Sequence, residues 1–423
     1  MSLDLFLNEL RALKVTLAVD GEQLSVRAPK GVITKELGAT ITARKQEILQ
    51  YLKQAKGLSA NSSKIQKVDR SVPPVLSFGQ KRLWFLYELE GASPTYNMPL
   101  CFGISGDFNQ QYFEQALSQI IQRHEILRYN FLSSSDGPTI VIKDPEAFTC
   151  DWIDLTTDHT RTPQSIAQAL EQFSFDLARD DLIQATVVKT AQQQFHVSIL
   201  LHHIVADGWS IGVLFKELQE IYTSLWQQQD AKLQALPIQY FDYAHWQTNE
   251  LAGTNLQAFI DYWKTRLADC PELLTLTTDH PRPNYLSYAG KTHICEIDSR
   301  LAEGLKALSQ STSCTLYMTL LAGFALFLSA HSAQDDLIIG SPVANRNDAA
   351  LEELIGLFIN TLPIRIDLSG DPTVEEFLNR VRSACVNDFN HQEIPFEKIV
   401  EILNPTRSLN TARSGPFKPK LSV

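Results

Sequence analysis

Residues 195–226 constrain the fold more than any other part of the chain. Phe195-His196-Val197-Ser198-Ile199-Leu200-Leu201 is a short, nearly continuous apolar run. His202-His203-Ile204-Val205-Ala206-Asp207-Gly208 follows, and then Ile211, Leu214, Phe215, Leu218, Ile221, Tyr222 and Leu225 recur at helical spacing. The unit reads as a buried strand, a tight polar loop and an amphipathic helix. Two imidazoles and a carboxylate on one strand-to-helix loop are well placed for acid–base chemistry on a bound substrate.

His203, the second histidine, is the candidate base, because a neutral imidazole accepts a proton near pH 7. Asp207 either orients a histidine, as in a triad, or braces the loop through a structural ion pair. Arg346, just past Gly340-Ser341-Pro342-Val343-Ala344-Asn345, is the cation that the second reading needs. Gly208 permits a tight turn or a close backbone approach to a ligand. Ser210 reads as the N-cap of the helix rather than as a nucleophile, since a serine before an amphipathic run is a start signal. His202 and His203 are adjacent on a strand, so their side chains point to opposite faces and do not suit one metal ion.

The rest of the chain alternates helical and strand patterns, which favours α/β or mixed α+β architecture. Residues 1–56 read as α-β-β-α. Leu3–Leu13 is helical, Asp20-Gly21 is a hairpin turn between Val15–Val19 and Leu24–Arg27, and Thr34 caps a helix through Leu37 and Ile41. Residues 57–74 have a linker composition. The body runs from Val75, with a break near Pro237 that divides it into 75–236 and 237–423. Within it, 112–123, 301–308 and 316–328 suit helices, and 139–142, 182–188, 336–343 and 358–366 suit strands. The apolar run 316–328 is too short to span a bilayer and reads as a core helix.

Charge is uneven. Residues 1–56 carry nine Lys/Arg against six Asp/Glu, a net of +3, and the remainder carries 28 against 42, a net of −14. The overall −11 argues against nucleic acid. A small basic module on an acidic body suggests separate partners. Six scattered cysteines without a C-x-x-C suit reduced thiols in the cytoplasm.

Several segments together resemble the condensation domain of nonribosomal peptide synthetases. The central match is Leu201–Ser210. Ser77-Phe78-Gly79-Gln80-Lys81-Arg82-Leu83-Trp84-Phe85-Leu86 lies upstream, with Arg123-His124-Glu125-Ile126-Leu127-Arg128 and Phe131. Tyr240–Trp246, Ile355–Leu362 and His391–Glu397 lie downstream. Residues 1–56 resemble the α-β-β-α (TubC-like) docking domains at the N-termini of some synthetase subunits. The resemblance implies a chloramphenicol-acetyltransferase-like fold of two lobes in a V, with the active site at their junction. It implies amide formation between an upstream carrier-bound acyl or peptidyl thioester and the amine of a downstream carrier-bound aminoacyl thioester. The cofactors are then phosphopantetheine arms on the partner carrier proteins, with none bound by this chain. The docking segment implies a further partner, the acidic C-terminal tail of an upstream subunit; neither nucleic acid nor a membrane is expected. His203 carries the chemistry in this picture, beside His202. Asp207 pairs with Arg346, and the Gly208 N–H stabilises the developing oxyanion. Trp209, Ser210, Asn360 and Thr361 are candidates to line the substrate tunnel.

Two stretches depart from the family pattern. Tyr129-Asn130 stands inside the second motif, and residues 411–423 replace a strand entry. The second lobe is therefore expected to be incomplete, with exposed sheet edges. Alternative readings are a truncated, non-catalytic docking and carrier-binding module, and a free-standing coenzyme-A-dependent acyltransferase of the same superfamily. A cyclising subtype is disfavoured because it has aspartate where this chain has His202.

Overall fold

The structure is a computed structural model. It describes residues 16–20, 23–27, 41, 44, 45, 65–135, 137–158, 160–251, 255–271, 273–280 and 293–403. The chain forms two compact units, Met1–Lys64 and Ile65–Val423. In the first, strands β1 (Thr16–Asp20) and β2 (Gln23–Arg27) pair antiparallel from Thr16↔Arg27 to Asp20↔Gln23; the expected Asp20-Gly21 turn reaches into residues outside those described. The expected helix over Leu3–Leu13 lies outside the described residues, as does the altered stretch 411–423.

The second unit begins ten residues before the expected start of the body. Ile65 is buried in its core, the Val68 N–H donates to Asp242 Oδ1 at 2.8 Å, and the Arg70 guanidinium pairs with the same carboxylate. Residues 65–74 are therefore part of the body and not linker. Their polar composition misleads because Arg70 is spent on a buried aspartate.

Helix α1 (Phe78–Glu90) starts at Ser77, whose side chain and that of Gln80 form a reciprocal capping box. Strand β3 (Asn97–Ser105), helix α2 (Gln110–Arg123), the hairpin β4 (Tyr129–Ser134) and β5 (Gly137–Ile142), strand β6 (Asp151–Asp154) and helix α3 (Pro163–Glu171) follow. Strands β7 (Ile183–Ala191) and β8 (Gln194–His202) then lead into α4 (Gly208–Trp226). The sheet order is β3-β8-β7-β6, with β6 parallel to β7 and the other pairs antiparallel. The apolar run of β8 is thus explained: it is an inner strand, buried from Val197 through His202. Pro99 is tolerated because β3 is an edge.

Helix α5 (Tyr240–Glu250) sends Tyr240, Tyr243 and Ala244 into this first core, together with Leu351, Leu354, Ile355, Leu357 and Phe358. A second core is built from α6 (Asn255–Arg266), α7 (Ser299–Ser311) and α8 (Leu316–Ser332), the antiparallel pair β9 (Asp336–Val343) and β10 (Asn360–Asp367), α10 (Val374–Phe389) and α11 (Phe396–Leu403). A short helix α9 (Ala349–Glu352) leads into the crossing segment 354–359. The run expected as a core helix is α8, buried through Leu321, Ala322, Ala325 and Leu328. Among the described residues no single helix is long and apolar enough to cross a membrane.

Candidate active site

The alternation of β8 divides the two histidines. His202 is the last residue of the strand, paired in register with Asn97. Its ring packs near Tyr96 and Phe175, and its Nδ1 accepts the Ile204 N–H at 3.1 Å. Burial, with a smaller push from His203, drives its pKa down from 6.5 to about 3. His203 turns the other way. Its backbone N–H donates to Tyr96 O at 2.8 Å, and its half-buried side chain lines a cavity of about 330 Å³. That cavity is also walled by Arg82 and Leu83 of α1, Tyr243 and Gln247 of α5, Leu357 to Thr361, and Pro395 to Glu397. It therefore draws on elements of both cores.

Asp207 caps α4. Its Oδ1 accepts the Ser210 N–H at 2.9 Å and Arg346 Nη2 at 3.1 Å; its Oδ2 accepts the N–H groups of Phe358 at 3.0 Å and Ile359 at 3.2 Å. Arg346 is buried as well. It donates to the carbonyls of Leu351 and Leu354 and lies 4.1 Å from the Phe358 ring centroid. Burial lowers the Arg346 pKa, against which Asp207 pushes upward. Both oxygens of the aspartate are thus engaged by backbone N–H groups, Ser210 and Arg346.

The expectation that Ser210 is the N-cap is corrected. The helix starts at Gly208, and Ser210 is its third residue. A carboxylate three residues earlier takes the Ser210 N–H and leaves its hydroxyl free for another task. Ser210 Oγ accepts from the Gly356 N–H and from Arg346 Nη2, each at 3.0 Å, and its proton faces Asp207 Oδ1 and the Gly356 carbonyl. Ser210 and Trp209 do not line the cavity. Trp209 is half exposed and its indole N–H donates to the Glu352 carbonyl at 2.9 Å. Asn360 and Thr361 do line it. The Asn360 carboxamide, however, is fully occupied: it donates to the carbonyls of Gln392 and Ile394 and accepts from the N–H groups of Thr361 and Phe396. It shapes the 392–396 turn. Gly208 is exposed, with nothing within 4 Å of where a Cβ would stand, so packing does not demand glycine there.

Sequence reasoning missed the strap that joins these parts. Residues 355–359 cross onto the first core with their backbone held at each position. Ile355 N–H goes to His124 Nδ1, Gly356 to Ser210, Leu357 O to the Tyr240 hydroxyl at 2.7 Å, and Phe358 and Ile359 N–H to Asp207. A Cβ on Gly356 would stand 2.3 Å from the Tyr240 ring, so only glycine lets the strap pass. Gln80, whose capping box was visible as Ser77-x-x-Gln80, donates from Nε2 to Ile204 O and anchors the histidine loop. Asn345, at the exit of β9, has a left-handed φ of 54° and lines the cavity, which turns the chain so that Arg346 reaches Asp207.

A family model of the condensation domain matches residues 74–422, and one of the TubC N-terminal docking domain matches residues 4–54. Malpinin synthetase of Mortierella alpina is 38% identical over 403 residues, covering 92% of this chain and 5% of the relative. A linear gramicidin synthase of Brevibacillus parabrevis is 41% identical over 350 residues, covering 81% and 7%. The chain thus spans a small fraction of the length of these relatives. Among solved structures, the X-domain from teicoplanin biosynthesis superposes with a TM-score of 0.75 at 26% identity, covering 85% of this chain and 79% of that one. The first condensation domain of the CDA synthetase does so at 0.66 and 20% identity, over 83% and 82%, which bears on the fold alone. This chain belongs to the condensation-domain family of nonribosomal peptide synthetases and carries a TubC-type N-terminal docking domain.

Proposed function

We propose that the domain joins a carrier-bound acyl or peptidyl thioester to the amine of a second carrier-bound aminoacyl thioester. One observation carries this reading: of the two motif histidines, only His203 is presented to a cavity, and that cavity draws on both cores. An attacking amine is its own nucleophile, so no serine or cysteine is required. The one serine in the lining, Ser77, is committed to the Gln80 N–H and the Tyr240 hydroxyl. The amine nitrogen bonds to the thioester carbonyl carbon, the C–S bond breaks, and the departing thiolate takes up a proton. His203 holds the amine in line and receives the proton that the nitrogen must lose. The Gly208 N–H lies in the first turn of α4, where backbone donors have no partner within the helix, but Gly208 does not line the cavity, so no role on the oxyanion falls to it.

The two lobes are the parts built around the first and second cores, and two phosphopantetheine arms bring the substrates to the cavity between them. Residues 1–56, with their net +3, bind the acidic C-terminal tail of an upstream subunit. Six free thiols suit the cytoplasm. The reading is tested by mixing the purified chain with a donor-loaded and an acceptor-loaded carrier protein and weighing the acceptor carrier by mass spectrometry. The expected gain is the mass of the donor acyl group. A folded chain that yields none from several matched carrier pairs would overturn the proposal.

A further inference from the structure

The strap of residues 355–359 is held mostly by the Asp207, Ser210 and Tyr240 side chains, of which Asp207 and Ser210 also bind Arg346 and Tyr240 bonds Ser77 in the cavity lining. One holder stands apart. His124 ends α2, is fully buried, and lines no part of the cavity. Its Nε2 lies 2.9 Å from Oε2 of Glu217 on α4, and Glu217 Oε1 accepts Arg123 Nε at 2.8 Å. Burial works to raise the Glu217 carboxyl, but the hydrogen bonds from His124 and Arg123 and the charge of Arg123 outweigh it and the net shift is downward. An ionised Glu217 only accepts, so Nε2 carries the proton. Nδ1 is then the acceptor that the Ile355 N–H requires at 3.3 Å. Both ring nitrogens are thereby assigned by their partners, and a single tautomer connects α2, α4 and the strap.

We propose that His124 is a positioning residue for amide formation: locked by Glu217, it fixes through the Ile355 N–H where the Leu357–Ile359 wall stands in the cavity that holds His203. This rests on the reading of that cavity as the place where the amide forms. Leu357, Phe358 and Ile359 line it two to four residues beyond the anchored amide. A reaction between two tethered substrates is sensitive to such placement, since a displacement of about 1 Å can cost roughly 100-fold in rate.

The test is steady-state amide formation by the full chain with loaded carriers, expressed per folded molecule, with His203→Ala as control. His124→Leu removes the acceptor for Ile355; His124→Asn leaves an oxygen near the place of Nδ1. The expected result for His124→Leu is a kcat at least about 10-fold lower with KM within about 3-fold, and recovery of most of that loss in His124→Asn. If His124→Leu does not fold, Glu217→Gln is measured instead; it keeps the shape, frees the tautomer, and should also lower kcat more than it changes KM. Unchanged kcat per folded molecule in the folded variant, or an Asn variant as slow as Leu, overturns the inference while the cavity reading stands. Equal rates for wild type and His203→Ala overturn both.

Discussion

His202 and His203 are neighbours in sequence and opposites in structure. One is sealed into the first core with its Nδ1 holding the Ile204 N–H; the other is half-buried and lines a cavity. The pleat of β8 alone makes the difference, since adjacent side chains leave opposite faces of a strand. Identical chemistry is thus spent on architecture at one position and made available for reaction at the next. The same division separates two ion pairs between residues of the first and second cores. Arg346–Asp207 is almost completely shielded, at 1% and 2% side-chain exposure, whereas Arg82–Glu397 at the cavity is 47% and 29% exposed.

If that division is sound, variants on the architectural side lower stability first. Asp207→Ala should cost most, about 3–5 kcal/mol, because it strands a buried guanidinium and frees two strap amides. Denaturant unfolding measures it, and a loss below 1 kcal/mol would contradict the bracing role. His202→Leu removes only the acceptor for one buried N–H, so it should cost about 1–3 kcal/mol at pH 7.5. The pH dependence sharpens this case. Below its ordinary pKa of 6.5 the unfolded chain binds a proton at His202 that the folded chain, at about 3, refuses. Wild type therefore loses stability as the pH falls from 6.5 towards 3, at up to about 1.4 kcal/mol per unit, and the variant should lose less. Equal acid slopes would remove His202 from the architectural side.

Asn345→Val forces a β-branched residue into a left-handed backbone and should cost about 1–3 kcal/mol, whereas Asn345→Gly should cost less, having no Cβ to strain. Equal losses in the two would mean that the carboxamide, and not the backbone, matters. Arg82→Ala should change the unfolding free energy least, by about 0–1 kcal/mol, as expected for a solvated pair.

How much of this was legible in sequence depended on distance along the chain. The strand–loop–helix unit and the β1–β2 pairing follow local rules: an apolar run, a 3.6-residue period and Asp-Gly. Ser210 was misassigned by one such rule, which favours a serine beside the first apolar residue; Asp207, three positions earlier, wins because a carboxylate accepts more bonds. Residues 65–74 looked like linker because the partner of Arg70, Asp242, lies 172 positions away. The strap was invisible for the same reason. Gly356 is obligatory only because of Tyr240, and His124 matters only through Ile355. The Asp207–Arg346 pair was raised by the need of a buried carboxylate for a cation and singled out by family resemblance, since no local pattern links residues 139 positions apart.

The most direct measurement of the central claim compares the amide-forming rate of wild type and His203→Ala on the same pair of loaded carriers, with unfolding midpoints recorded beside them. The account predicts a rate at least about 100-fold lower for the variant and a midpoint unchanged within error, because the side chain serves the cavity and not the core. A variant that keeps the wild-type rate while folded would contradict it.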